Sequence, residues 1–285
     1  MAKERKPKPS EIVDAMLAGK QDPKYDVNKD GKVDIHDVTA AIDEELKPEP
    51  DTDPEPEEGM FDVNGVTFRM VKVEAGKFLM GASVEPSAYS FERPQHEVTI
   101  SKDFFIGETP VTQALWKAVM GSNPSLIKGD DNPVERVTWF DCIDFIKRLN
   151  ELTGQQFRLP TEAEWEFAAI GGNSSKGYKF SGSDLIEEVA WCKVNAGGGT
   201  HPVKEKQPNE LGIYDMSGNV NEWVEDWYAS YNAAAVTDPK GPNTGSYRVY
   251  RGGGFQAPAA DCRCHYRYMM IPQKRAEYLG LRIAL

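Results

Sequence analysis

The chain has 285 residues, of which 40% are apolar or aromatic, and carries a formal charge of −12; that length builds one large core, or one core with a small appendage. The acidic balance, with a pI near 4.9, argues against nucleic acid as a partner, because a polyanion is repelled before local contacts form. No run approaches about 18 consecutive apolar residues, so no membrane insertion is expected, and the basic start "MAKERKPKPS" leads into no apolar signal core.

Residues 1–46 read as a small calcium module. "DVNKDGKVDIHD" places Asp26, Asn28, Asp30, Lys32, Asp34 and Asp37 at loop positions 1, 3, 5, 7, 9 and 12, with Gly31 at position 6. Hard oxygen ligands at that spacing suit Ca²⁺: Lys32 offers its backbone carbonyl, and the glycine permits the sharp turn. Amphipathic helix candidates, "PSEIVDAMLAG" and "DVTAAIDEEL", flank the loop. Position 12 is Asp37 rather than glutamate, and in this the loop resembles those of dockerin modules, which implies a docking partner. The alternative is a solvated acidic turn without metal. Bound Ca²⁺ is expected to fold this unit, since so short a stretch buries little surface alone.

Residues 47–59, "KPEPDTDPEPEEG", mix prolines with mutually repelling acids and read as a stiff, solvated linker. Residues 60–285 form the main body. Its first strand candidates are "FRMVKVEAGKFLMG" and "HEVTISKDFFIG". Two amphipathic helices follow: "TQALWKAVMG", apolar at 114, 115, 118 and 119 and ending at Gly121, and "TWFDCIDFIKRLNELTG", apolar at 142, 143, 145, 146 and 149 and ending at Gly154. In "QFRLPTEAEWEFAA", Thr161 and Glu164 form a capping box. Short strands and glycine turns dominate elsewhere, so the body is expected to be α+β with much irregular backbone.

"PNELGIYDMSGNVNEWVEDWY" sets Asn209, Asp215, Asn219 and Glu222 among glycine-kinked turns; it is either a hard-cation cage or a polar turn capped by tryptophans. The four cysteines, at 142, 192, 262 and 264, lack C-x-x-C spacing and are expected to be free, mostly buried thiols.

"MVKVEAGKFLMG", "RPQHEVTISKDFFIGETPVT", "NPVERVTWFDCIDFIKRLN", "FRLPTEAEWEFAA", "NELGIYDMSGNVNEWVEDWY" and "YRVYRGGGFQ…CR…RY…LGLRIAL" occur in the order of the formylglycine-generating enzyme (sulfatase-modifying factor) domain family. The resemblance covers residues 66–285. It implies a C-type-lectin-like fold with bound Ca²⁺, and makes Asn195, Asn219, the Val220 carbonyl and Glu222 calcium ligands of the body. Oxidases of that family act on sulfatase cysteines and bind Cu(I) through two cysteines five positions apart, soft ligands that suit the metal. Here Cys262 takes the second position and Ala257 stands at the first, so the copper-oxidase reading is the alternative rather than the first choice. An alanine brings no thiolate.

The C-terminal segment resembles, more closely, C-type-lectin-like proteins diversified by retroelements, as in phage receptor-binding tips and bacterial surface proteins. Arg251, Gly252 to Gly254, Phe255, Cys262, Arg263, Arg267, Pro272, Arg275 and "LGLRIAL" match the fixed positions. By that likeness Gln256, Ala257, Pro258, Asp261, His265, Tyr266, Tyr268, Met269, Met270 and Ile271 are the exposed, adaptable ones. Tyrosine and methionine suit such a role because they offer large or pliable contact area; the rival is that the tyrosines and methionines are core. The expected partner is a protein or glycan receptor on another cell, and the expected setting a virion or cell surface.

Overall fold

The computed structural model describes residues 7–45, 59–83 and 88–285; the linker reading at 47–58 lies outside them. The chain divides into two units, Met1–Glu57 and Glu58–Leu285. In the first, α1 (Pro9–Leu17) starts on a proline whose missing N–H costs nothing at that position. Its Ile12 packs on Val38 and Ala41 of α2 (Ile35–Glu45) and on Val33 of the loop between them, and its Ala15 is buried too. Four or five small apolar side chains make a thin core.

The second unit is α+β and, among the described residues, carries three small sheets. Each long strand candidate breaks at a turn and feeds two sheets. Residues 68–81 fall in β2 (Val66–Val73) and β3 (Gly76–Met80); residues 96–107 supply β4 (His96–Ile100) and β5 (Phe104–Gly107). One sheet runs β1-β2-β5, with β1 at Met60–Val63, and another runs β3-β4-β7, with β7 at Val236–Thr237.

Helix caps appear where the sequence places them. Thr112 accepts from the Leu115 N–H to open α3 (Gln113–Met120), and Gly121 closes it at φ +73. Thr138 and Asp141 cap each other at the start of α4 (Trp139–Thr153), which Gly154 ends; such caps contribute about 1 kcal/mol each. Leu115, Trp116 and Val119 of α3 are buried, whereas Ala114 and Ala118 are half-buried. Trp116 stacks on Phe145 of α4 with ring centroids 4.9 Å apart, and Ile143, expected inside, is on the surface. The larger indole displaces the apolar stripe toward its own side.

α5 (Glu162–Ala169) opens with the Thr161–Glu164 box and is buried on nearly every side. It backs the third sheet, in strand order β10-β6-β8-β9: β10 Leu279–Leu281, β6 Asn221–Trp227, β8 Arg248–Arg251 and β9 Arg267–Met270. β9 is the edge, antiparallel to β8. Among the described residues, no helix is long and apolar enough to cross a membrane.

Candidate functional site

The turn after β8 needs glycine. Gly252 and Gly253 have φ of +98 and +70, a region where side chains other than glycine are strained. A Cβ on Gly253 would also stand 2.7 Å from the Cys262 sulfur and from the Asp261 carbonyl. The chain then buries Phe255, passes a 3₁₀ turn at Ala259–Cys262 and returns as β9.

Beneath this segment lies a layer of buried arginines. Residues 251 and 267 are cross-strand partners, so their side chains leave the same face of the sheet. Arg267 holds Glu162 through two bonds of 2.7 Å. Arg251 pairs with Glu166 and donates to the carbonyls of His265 and Tyr266 at 3.0 and 2.6 Å. Arg263 grips Glu92 in a fork at 2.8 and 2.6 Å, and Arg282 grips Glu222 at 2.9 and 3.0 Å. All eight groups are buried, and a buried charge holds its place only when paired and hydrogen-bonded. Burial pushes the Glu166 carboxyl up, but Arg251 and then His265 outweigh it and hold the group down to about 2. His265 accepts the mirror-image effect: burial lowers its pKa, and Glu166, 2.8 Å from Nδ1, raises it above the ordinary value.

The alternate side chains form an aromatic face. Tyr268 is 44% exposed and lies over Tyr250, its cross-strand partner, at 5.7 Å. Tyr266 and Tyr268 stack at 6.3 Å, and Phe91 meets both edge-on at 5.9 and 6.0 Å. Tyr89 stacks on Phe91 and sends its hydroxyl to Asp261. Around this patch Gln256, Pro258 and Ile271 are exposed, while Ala257, Asp261, His265, Met269 and Met270 are half-buried. Tyr266 departs from the expected exposure: at 9% it is buried, because Tyr89 and Phe91 cover it. Met270 leans on the core below, and Ala257 on a small cluster around Cys262.

A family model for the sulfatase-modifying factor enzyme 1-like domain matches residues 62–285. The chain belongs to that family. It is 37% identical over 241 residues to the chaperone protein LppX of Paenibacillus barcinonensis, covering 67% of this chain and 79% of that one. It is 32% identical over 206 residues to the formylglycine-generating enzyme of Thermomonospora curvata, covering 64% and 66%. Among solved structures, Treponema denticola variable protein 1 superposes with a TM-score of 0.71 at 34% identity, over 79% of this chain and 97% of that one. The chain spans between 37% and 79% of the length of the first curated relatives it matches.

Within this family member, the body residues implied as calcium ligands have other work. Both Glu222 oxygens face Arg282, and one also accepts from the Trp165 indole N–H at 2.6 Å. A guanidinium at that distance occupies the place a second cation would take, so Glu222 as arranged does not fit Ca²⁺. Asn195 closes a local turn, bonding the Cys192 N–H and the Ala190 carbonyl. Asn219 bridges His201 and Asp215, and Val220 is buried. Asn209 likewise ties the end of α5 to its own turn. The N-terminal loop differs. Asp26 accepts the N–H groups of Asp30 and Gly31, Asn28 that of Asp30, and Asp30 that of Lys32. Asp37 accepts from Val27, Asn28 and Asp34, and Lys29 and Gly31 take positive φ. These oxygens ring one exposed loop and keep free lone pairs, a donor set that fits a hard cation, although among the described residues no three acidic, His or Cys side chains are drawn together as a metal group.

All four cysteines are free and buried. Cys264 turns into the core below α5, its thiol toward the Ala169 carbonyl, while Cys262 faces the opposite cluster. Sequence reasoning missed Tyr89, Phe91, Glu92, Glu162 and Glu166. A signal existed for two of them: Glu162 and Glu166 are one helical turn apart in a helix whose other glutamate, Glu164, is taken by the cap, which places two carboxylates on one inward stripe. For the 89–92 loop, no periodicity marks it.

Proposed function

We propose that this domain is a binding protein whose C-terminal segment presents a variable, tyrosine-rich surface to a protein or glycan receptor on another cell. The observation that carries the reading is the division of labour along one segment. Arg251, Arg263, Arg267 and Arg282 are each locked to a buried glutamate, so the outward side chains between them that bond no member of that layer can change without disturbing what lies beneath. Likeness to a variable protein at 34% identity supports the same reading. Tyr89, Phe91 and Tyr268 supply the rigid aromatic anchors; Gln256, Pro258, Asp261, His265, Met269 and Ile271 surround them. The N-terminal loop takes Ca²⁺ through Asp26, Asn28, Asp30, the Lys32 carbonyl, Asp34 and Asp37, which folds that unit for a docking partner.

The test is a binding screen of the full chain against cell-surface proteins and immobilised glycans. Tyr268→Ala is expected to weaken capture at least about tenfold without lowering the melting temperature; equal binding by the variant rejects the surface. A copper oxidase is the second reading, kept by one observation: Cys192 and Cys262, two thiols from distant parts of the chain, share one small cluster. Cu(I), oxygen and a cysteine-containing sulfatase peptide are expected to yield no aldehyde; formylglycine product overturns the binding-only account.

A further inference from the structure

We infer that Cys192 and Cys262 form a redox couple, closing to a disulfide that staples the turn at 192–196 to the start of the C-terminal segment. The two sulfurs come from distant parts of the chain and share one small apolar cluster with Phe180, Val189 and Ala190. Both backbones are held in place. The Cys192 carbonyl accepts from Asn195 and Ala196, the Lys193 N–H donates to the Ala257 carbonyl at 3.0 Å, and the Cys262 carbonyl accepts from the Ser217 hydroxyl at 2.7 Å. Partner choice is settled by the packing: Cys142 lies in the cluster under α4, and Cys264 in the one under α5.

The chemistry of the two thiols is unequal. The neighbouring Cys262 thiol, with the Val194 N–H and the charge of Lys206 and against the effect of burial, brings the Cys192 group down to about 6. The same pairing, then burial, pushes Cys262 well up. Cys192 is therefore the attacking thiolate and Cys262 the resolving thiol. Both are buried, but Lys193, Val194, Gly197 and Gly198 beside Cys192 are exposed, so the opening of one turn admits a small disulfide. The Cys192 thiolate attacks one sulfur of that oxidant, and a small thiolate leaves. Cys262 then gives up its proton and attacks the Cys192 sulfur, expelling the second small thiolate, which takes the proton. Two protein thiols are oxidised and one small disulfide is reduced to two thiols.

The full chain is incubated with oxidised glutathione or with dithiothreitol, alkylated, digested without reduction and mapped by mass. The expected product is a cross-linked pair of peptides carrying residues 192 and 262, two hydrogens lighter than the separate peptides. Closing a loop of about 70 residues should raise the melting temperature of the oxidised form by about 5–10 °C. Cys262→Ser removes both effects, and Cys142→Ala keeps both. Alkylation of both residues after oxidation, a glutathione adduct that persists at Cys192, or a bridge to Cys264 overturns the proposal, and none of these readouts depends on what the aromatic face binds.

Discussion

Arg267 and Tyr268 are adjacent in sequence and belong to opposite regimes. Arg267 turns inward to a forked pair with Glu162 and lies against the Tyr231 ring at 3.9 Å; Tyr268 turns outward, 44% exposed, and packs against the rings of Phe91, Tyr250 and Tyr266. Strand geometry makes this possible, since successive side chains leave opposite faces. The floor is specific because a buried charge without its partner costs far more than the pair contributes. The face is permissive because a half-exposed ring loses little when exchanged. A surface can therefore vary only where the layer beneath is over-determined.

Four changes break or sharpen that contrast. Arg267→Met leaves Glu162 charged, buried and short of its main partner, and should lower unfolding stability by about 3–5 kcal/mol in urea titration. Acid comes next. Glu166 has its folded pKa depressed from 4.5 to about 2, so the stability it contributes is present above 4.5 and is lost as the pH falls through about 2. Circular dichroism should show that loss within this window, and Glu166→Gln should flatten it. Tyr268→Ala should change stability by under about 1 kcal/mol, since the ring packs on one side only; a loss as large as that of Arg267→Met would mean the face is core. Smallest is Arg275→Ala. Its 3.0 Å pair with Asp141 is exposed, and its removal should cost at most about 0.5 kcal/mol.

Much of the scaffold was legible before folding. The caps at Thr112, Thr138 and Thr161 and the stops at Gly121 and Gly154 are local devices, written within a few residues of where they act. The fixed positions of the C-terminal segment, Arg251, Arg263 and Arg267 among them, were readable from the motif order, and so was the missing thiol at Ala257. Tyr266 shows the limit. By its motif position it was expected to be exposed, yet it is covered by Tyr89 and Phe91, which arrive from a loop more than 170 residues earlier in the chain. Glu222 makes the same point from the inside: among asparagines and glycines it reads as a cation ligand, and Arg282 from the last strand region claims it.

What the chain determines by itself is whatever depends on near neighbours or on composition: the turn that only glycine allows at residue 253, the helix ends, the spacing of oxygens from Asp26 to Asp37, and the net charge of −12. Only the tertiary structure decided which glutamate answers which arginine, which aromatic is roofed over, and that Cys192 stands beside Cys262 rather than Cys264. The physical reason is that these are contacts between distant segments, and a charge, ring or thiol carries in its own neighbourhood no mark of the partner that burial will select for it.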